Sequence, residues 1–288
     1  MRDYIILTDS CCDLPHHMVE DLGIRVLPLS FLMEGKEYFN YSDNRDIPPL
    51  EFYNKLRSGS LGTTSAVSIG AFQEVMSSLA KEGKDILCIS VSSALSTTYQ
   101  SASIAAGDVM AANPGCTIAV VDSLAASMGL GLLVYLAAQE RRKGVPLEDV
   151  RRFAEEKKNH ICHFFTVNDL NHLKRGGRLS ATAALLGTML QMKPVLRVDN
   201  DGRLTTDSKV RGRKASIQAL LQKMEDLVET PSPVFISHGD CLEEAESLGR
   251  AIEEKFGTKT MVIDFIGPVI GNHAGPGTIA LFFQGKHK

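Results

Sequence analysis

The sequence predicts an α/β protein of two α/β lobes with mostly parallel sheets. Three observations predict it. Short aliphatic, β-branched runs alternate with longer segments of helical apolar spacing. The runs at 85–91 and 116–121 are continuously apolar, as strands covered on both faces must be. The 288 residues, 44% of them hydrophobic, exceed a usual domain of about 150 and can fill two cores.

Taken in order, residues 4–8 read as a strand. The loop 9–13 follows, and Leu14-Pro15 opens a helix. Residues 25–31 and 36–39 flank Glu34-Gly35, a hairpin signal. Apolar residues at helical spacing fill 71–81, 98–111 and 126–143, and strands 85–91 and 116–121 lie between them. The apolar run 125–138 is too short to span a bilayer, which takes about 20 residues, and reads as a buried helix. A boundary falls near 144–156, which divides the chain into an N-terminal lobe, 1–150, and a C-terminal lobe, 151–288. In the second lobe, 161–167 reads as a strand and 185–192 as helical. Residues 194–198 and 203–206 form a hairpin about Asp199-Asn200-Asp201-Gly202, which lacks the remaining ligand positions of a calcium loop. Helices are expected at 215–228 and 242–256, strands at 233–237 and 260–266, and a short final helix at 277–283.

Composition excludes several classes. Lys and Arg number 31 against 34 Asp and Glu, so a general nucleic-acid binder, with its basic excess, is not expected. The first residues lack a signal-peptide core, and no run suits stable membrane insertion. Six cysteines without a C-x-x-C pair or zinc spacing point to a reduced, cytoplasmic protein without a metal. Cys11-Cys12 read as two small residues in a tight turn. No P-loop, no G-x-G-x-x-G after the first strand, no G-x-S-x-G and no H-E-x-x-H occurs.

Four constellations remain. Residues 62–68 (GTTSAVS) precede a helix and read as a cap with amides free for an anion. Residues 90–99 place many hydroxyls after a buried strand, at the edge where open α/β sheets bind ligands. Residues 266–278 combine glycines, His273, a helix start at Pro276 and Thr278, a set suited to an oxyanion. Residues 174–178 and 209–214 are basic and read as a solvated face or as a docking patch for an acidic partner.

Eight segments carry a family resemblance. They are Leu7-Thr8-Asp9-Ser10 with Asp13-Leu14-Pro15, Thr64-Ser65, Leu95-Ser96 with Thr98-Tyr99-Gln100-Ser101-Ala102, Val121-Asp122-Ser123, 173–180, Lys193-Pro194-Val195-Leu196, Val210-Arg211-Gly212 and 273–278. In that order and over nearly the whole chain they resemble DegV-family proteins, bacterial fatty-acid-binding proteins. The resemblance implies an acyl-chain pocket between or beneath the lobes. It implies no catalysis and no cofactor. It further implies a separate dihydroxyacetone-kinase-like fatty acid kinase that phosphorylates the bound carboxyl group. On the matching positions, Thr64, Ser65 and Ser96 would meet the carboxylate, His273 and Thr278 would complete the shell, and Arg175 or Arg178 would face the kinase. Cys11-Cys12, Ala66-Val67 and Thr97 depart from the family's usual residues near the expected mouth.

The residues agree with that implication. A buried carboxylate needs several charge-assisted hydrogen bonds, and the Trp-free, aliphatic composition supplies a tunnel wall. The rival is an acyl hydrolase or transferase using Ser96 or Ser10 with His273. A lipid-sensing DNA-binding regulator is disfavoured by the net charge of −3.

Overall fold

The computed structural model describes residues 2–179 and 192–288. The chain forms β1 (Tyr4–Asp9), a one-turn helix (Ser10–Cys12), α1 (His16–Leu22), β2 (Arg25–Leu27), β3 (Ser30–Met33), β4 (Lys36–Phe39), α2 (Pro49–Arg57), β5 (Gly62–Ser65) and α3 (Ile69–Lys81). It continues with β6 (Asp85–Ser90), α4 (Thr98–Ala112), β7 (Ile118–Asp122), α5 (Met128–Arg142), α6 (Leu147–Lys157), β8 (Ile161–Thr166) and α7 (Asn171–Arg175). Then come β9 (Met192–Val198), β10 (Leu204–Arg211), α8 (Arg213–Leu227), β11 (Val228–His238), α9 (Leu242–Phe256), β12 (Met261–Phe265), α10 (Pro268–Ala274) and β13 (Ile279–Gly285).

The first sheet is fully parallel, in the order β2-β1-β6-β7. The second has six strands in the order β10-β9-β8-β13-β11-β12, and only β11 and β12 run parallel in it. The α/β class and the pair of sheets match expectation. The second sheet departs from a parallel reading: β9 and β10 form a hairpin, and of the connections that carry a helix only that through α9 joins two paired strands, β11 and β12, in parallel. A third sheet, β4-β3-β5, was not expected. Its hairpin is the one predicted at Glu34-Gly35: φ is 53° and 77° there, the left-handed pair that a two-residue turn needs.

Helix α5 explains the long apolar run. It packs against β1 and β6 of the first sheet and against β8, β11 and β13 of the second. Leu130, Leu132, Leu133 and Val134 are fully buried, so the first two turns of the helix are apolar all round, and its polar residues are confined to the last turn. Each such side chain contributes about 1.5–3 kcal/mol by leaving water. Tyr135 meets Phe235 edge-on at 5.6 Å. The Tyr53 hydroxyl donates to the Ile266 carbonyl at 2.8 Å and ties α2 to the loop after β12.

Two local expectations fail near the C-terminus. Residues 279–285 form a central strand where a helix at 277–283 is expected, and a short helix, α10, stands earlier, at 268–274. Pro268 sits in the first turn of α10, where its missing N–H costs nothing. Gly275 and Gly277, with φ of 81° and 75°, turn the chain into β13, so Pro276 lies in that turn and starts no helix. The helix expected at 185–192 lies outside the described residues except for Met192, which opens β9.

Candidate functional site

A cavity of about 510 Å³ lies at the carboxyl end of β6, between the two large sheets. Topology places it there: the loop after β6 belongs to the edge where parallel sheets bind ligands. Leu29, Val91, Phe165, Val198, Val269 and Phe282 supply much of its apolar wall. Residues at the mouth are exposed, among them Ser65, Thr97, Gly177 and Arg178, whereas Cys11, Ser127 and His163 at the floor are buried.

All five residues expected at the carboxylate line this cavity: Thr64, Ser65, Ser96, His273 and Thr278. Thr64 and Ser65 do not cap a helix. They lie on β5, paired with Phe31 and Ser30 of β3, and the cap of α3 is Ser68, whose hydroxyl accepts from the Ala71 amide. Strand pairing points Thr64 inward, 2.8 Å from Nε2 of His273 on α10. Ser96 Oγ lies 2.8 Å from Thr98 Oγ1 and accepts from the Thr98 amide.

Thr278 departs from its expected role. Its hydroxyl, 1% exposed, donates to the Ala274 and Gly275 carbonyls at 2.9 Å. With its one hydrogen committed there, it closes the α10–β13 turn and offers the cavity no free donor.

His273 is neutral at ordinary pH. Burial, and then the charge of Arg178, pushes its imidazole down to about 4. Among the described residues its Nδ1 has no partner, and it faces Gly176, where an added Cβ would lie 2.1 Å away. A neutral ring can donate from Nε2 to Thr64, which frees the threonine hydrogen for an anion. Arg178 belongs to the same mouth. It donates to the Gly176 carbonyl at 2.6 Å and to the Leu95 carbonyl at 3.3 Å, bridging the segment after α7 to the loop after β6. Arg175 stays outside the cavity wall, beside His172 Nδ1 at 3.3 Å.

The arrangement does not assemble the serine–histidine pair of the rival reading. His273 meets Thr64 rather than a serine, no group among the described residues pairs with its Nδ1, and its low pKa makes it a poor base. Ser10 lies outside this cavity wall and accepts from the Leu29 amide. Burial pushes the Cys11 and Cys12 thiols up, away from redox reactivity. Among the described residues no group of three or more His, Cys, Asp or Glu could hold a metal ion, and no helix is long and apolar enough to cross a membrane.

Three wall or near-wall groups escaped the sequence reading: His163, Ser127 and Asp13. His163 had a signal in the β8 alternation, on the same face as Phe165. Ser127 and Asp13 had none, because their pairing depends on how α5 packs beside the first loop. The Ser127 hydroxyl donates to Asp13 Oδ2 at 2.6 Å and lies 3.0 Å from Ser237 Oγ.

Over residues 4–286 the chain matches the family described as "Uncharacterised protein, DegV family". A DegV domain-containing protein of Clostridium perfringens is 44% identical over 290 residues, with 100% of this chain and 99% of that protein covered. The structure of a DegV family protein from Thermus thermophilus, described for its fatty acid binding, is similar at a TM-score of 0.87 and 30% identity, covering 99% of this chain and 100% of that one. DegV of Bacillus subtilis, a fatty acid binding protein, is similar at a TM-score of 0.86 and 28% identity, with the same coverage. A match along nearly the whole chain, and a relative of such identity, show that this protein belongs to the DegV family.

Proposed function

We propose that this protein binds a long-chain fatty acid, with its carboxylate at the Thr64–His273 pair, Ser65 and Ser96, and presents the carboxyl group to a separate dihydroxyacetone-kinase-like fatty acid kinase. The observation that carries the reading is one cavity with an apolar wall and a mouth of neutral donors beside one guanidinium. The volume of about 510 Å³ suits a ligand of that size, since small-molecule pockets span roughly 300–1,000 Å³. Each methylene buried there contributes about 0.8 kcal/mol, so the chain drives affinity and the mouth fixes orientation. The fatty acid binding of the Thermus and Bacillus proteins supports the same ligand class.

In this reading the protein is a cytoplasmic carrier with no catalytic residue and no cofactor. Residues 1–150 and 151–288 are the two lobes that enclose the ligand. Native mass spectrometry of purified protein, followed by lipid extraction, tests it. A stoichiometric long-chain fatty acid is expected. A clean unliganded mass, with no uptake on titration, sinks the proposal.

The kinase half of the proposal has its own test. Arg175 is exposed on α7 and outside the cavity wall, whereas Arg178 serves the mouth itself. Charge reversal by Arg175→Glu should leave fatty-acid affinity intact and slow kinase-dependent phosphorylation roughly tenfold, as for a rim charge that steers association. Unchanged phosphorylation would remove Arg175 from the docking face.

A further inference from the structure

A carboxyl group lies directly behind the cavity wall, where the loops of the first sheet meet the second. Asp13 Oδ2 accepts from the Ser127 hydroxyl at 2.6 Å, and Ser127 is a wall residue. Ser127 Oγ lies 3.0 Å from Ser237 Oγ on β11, so the contact joins the loop after β1, the start of α5 and the second sheet. Asp13 also meets the segment after β12. An added Cβ at Gly267 would lie 2.6 Å from Asp13 Oδ1, and Ile266, one residue earlier, lines the cavity too.

The charge on this carboxyl is poorly compensated. The charges that act on it most are negative: Asp264, which shares a small cleft with it, and Asp9 at the end of β1. Four other titratable groups face it or its neighbours from the elements packed there. Cys11 and Cys12 lie on its own loop and Tyr53 on α2, while His238, at the end of β11, lies against Phe265 at 4.6 Å. Burial holds all four neutral at pH 7. Tyr41 lines the cleft, and the first turn of α5, 128–131, has no ionisable side chain. A buried carboxyl without a cation keeps its proton to a higher pH than an exposed one. Burial, opposed by the Ser127 and Gly267 contacts, raises that of Asp13 from 3.8 to about 7.

Filling the cavity bears on that balance. An acyl chain displaces water from about 510 Å³ whose wall is one side chain away from Asp13. The charged carboxylate loses more by this than the neutral acid does. The small cleft, about 40 Å³ and shared with the exposed Asn44, has room for about one water and gives a proton a path from solvent.

We propose that fatty-acid binding is coupled to the protonation of Asp13: the acyl chain binds most tightly to the protonated form, and filling the cavity draws a proton from solvent onto Asp13. The coupling is reciprocal, so the carrier loads as pH falls through neutrality and releases as it rises. The inference rests on the fatty-acid reading above and deepens it by naming what regulates the site.

The test compares delipidated wild-type protein with Asp13→Asn, using oleic acid as the probe. Dividing one affinity by the other cancels the titration of the ligand and of His273. From about pH 5.5 to about pH 9 the wild-type affinity, relative to the variant, should fall about threefold to tenfold, as for a rise of about 0.5–1 unit in the Asp13 titration on binding. Calorimetry near pH 7.5, in two buffers of different ionisation heat, should show about 0.3–0.5 proton more taken up per oleic acid by the wild type. A ratio that stays flat with pH, or equal proton uptake, overturns the proposal. Carbon-13 NMR of the Asp13 carboxyl in the wild type needs no folded variant. Its titration midpoint should rise by about 0.5–1 unit when oleic acid is added, and an unmoved midpoint overturns the proposal as well. A wild type that binds no oleic acid at any pH would instead remove the fatty-acid reading itself.

Discussion

Thr64→Val should weaken fatty-acid binding by roughly 10- to 100-fold while the protein stays folded. Valine keeps the shape and β propensity of threonine on β5 and removes only the hydroxyl. That hydroxyl lies 2.8 Å from His273 Nε2 and is the donor best placed for a carboxylate. A hydrogen bond to a charged group contributes about 1.5–3 kcal/mol, which sets the expected range. The same change leaves His273 Nε2 without its partner, so direct donation from the ring would recover part of the loss. Stability should change little, because His273 is only partly buried and water can take the vacated place. Isothermal titration with one fatty acid, beside a melting curve for each protein, measures both quantities. Thr64→Ser keeps the hydroxyl and should retain most of the affinity. Equal affinity in Thr64→Val and the wild type would take Thr64 out of the site.

The second large effect is on stability against pH, and it belongs to Asp13. Full burial, only partly offset by the Ser127 hydroxyl and the Gly267 amide, raises its carboxyl from 3.8 to about 7, and the charges of Asp264 and Asp9 push the same way. Among the described residues its Oδ1 has no partner in hydrogen-bonding geometry. The folded state therefore holds a proton that the unfolded chain gives up at lower pH. The stability this group contributes is present in full below 3.8 and is lost as pH rises through about 7. His273 runs the other way: its pKa falls from 6.5 to about 4, so its contribution is present above 6.5 and lost as pH falls through about 4. The two slopes largely cancel between those limits in the wild type.

Asp13→Asn separates them. Asparagine keeps an acceptor for Ser127 and has no proton to release. Relative to wild type, the variant should gain about 1.4 kcal/mol for each pH unit from about 4 to about 7. Urea unfolding of the unliganded proteins across that range measures the difference. A difference that does not move with pH would show that Asp13 ionises as an ordinary carboxylate.

Legibility in the sequence followed local chemistry. The Glu34-Gly35 hairpin was readable because two adjacent left-handed residues leave few alternatives. The buried character of α5 was readable because an uninterrupted apolar run too short for a bilayer must lie inside the fold. Strand β13 was misread because a short apolar run has no periodicity that separates helix from strand, and Pro276 resembled a helix start. Its place as a central strand depends on pairing with β8 and β11, both distant in sequence. Strand β5 was missed for the same reason: Thr63, Thr64 and Ser65 resemble a capping segment until β3 pairs with them. The hydroxyl-rich character of the mouth was visible, but the Thr278 hydroxyl turned out to serve the backbone.

By itself the sequence determined the α/β class, many of the elements of the first sheet, the family and the residue types around the mouth, because each follows from periodicity, turn chemistry or ordered motifs. Only the tertiary structure decided which of those residues meet. Thr64 and His273 stand 209 positions apart, and β5 and α10 bring them to hydrogen-bonding distance. The same packing set Arg178 at the mouth, left Arg175 outside it, and buried His163 and Ser127 at the floor. Side-chain chemistry is written residue by residue, but burial and partnership arise from contacts between distant segments, and those contacts set the pKa of His273 and of Asp13.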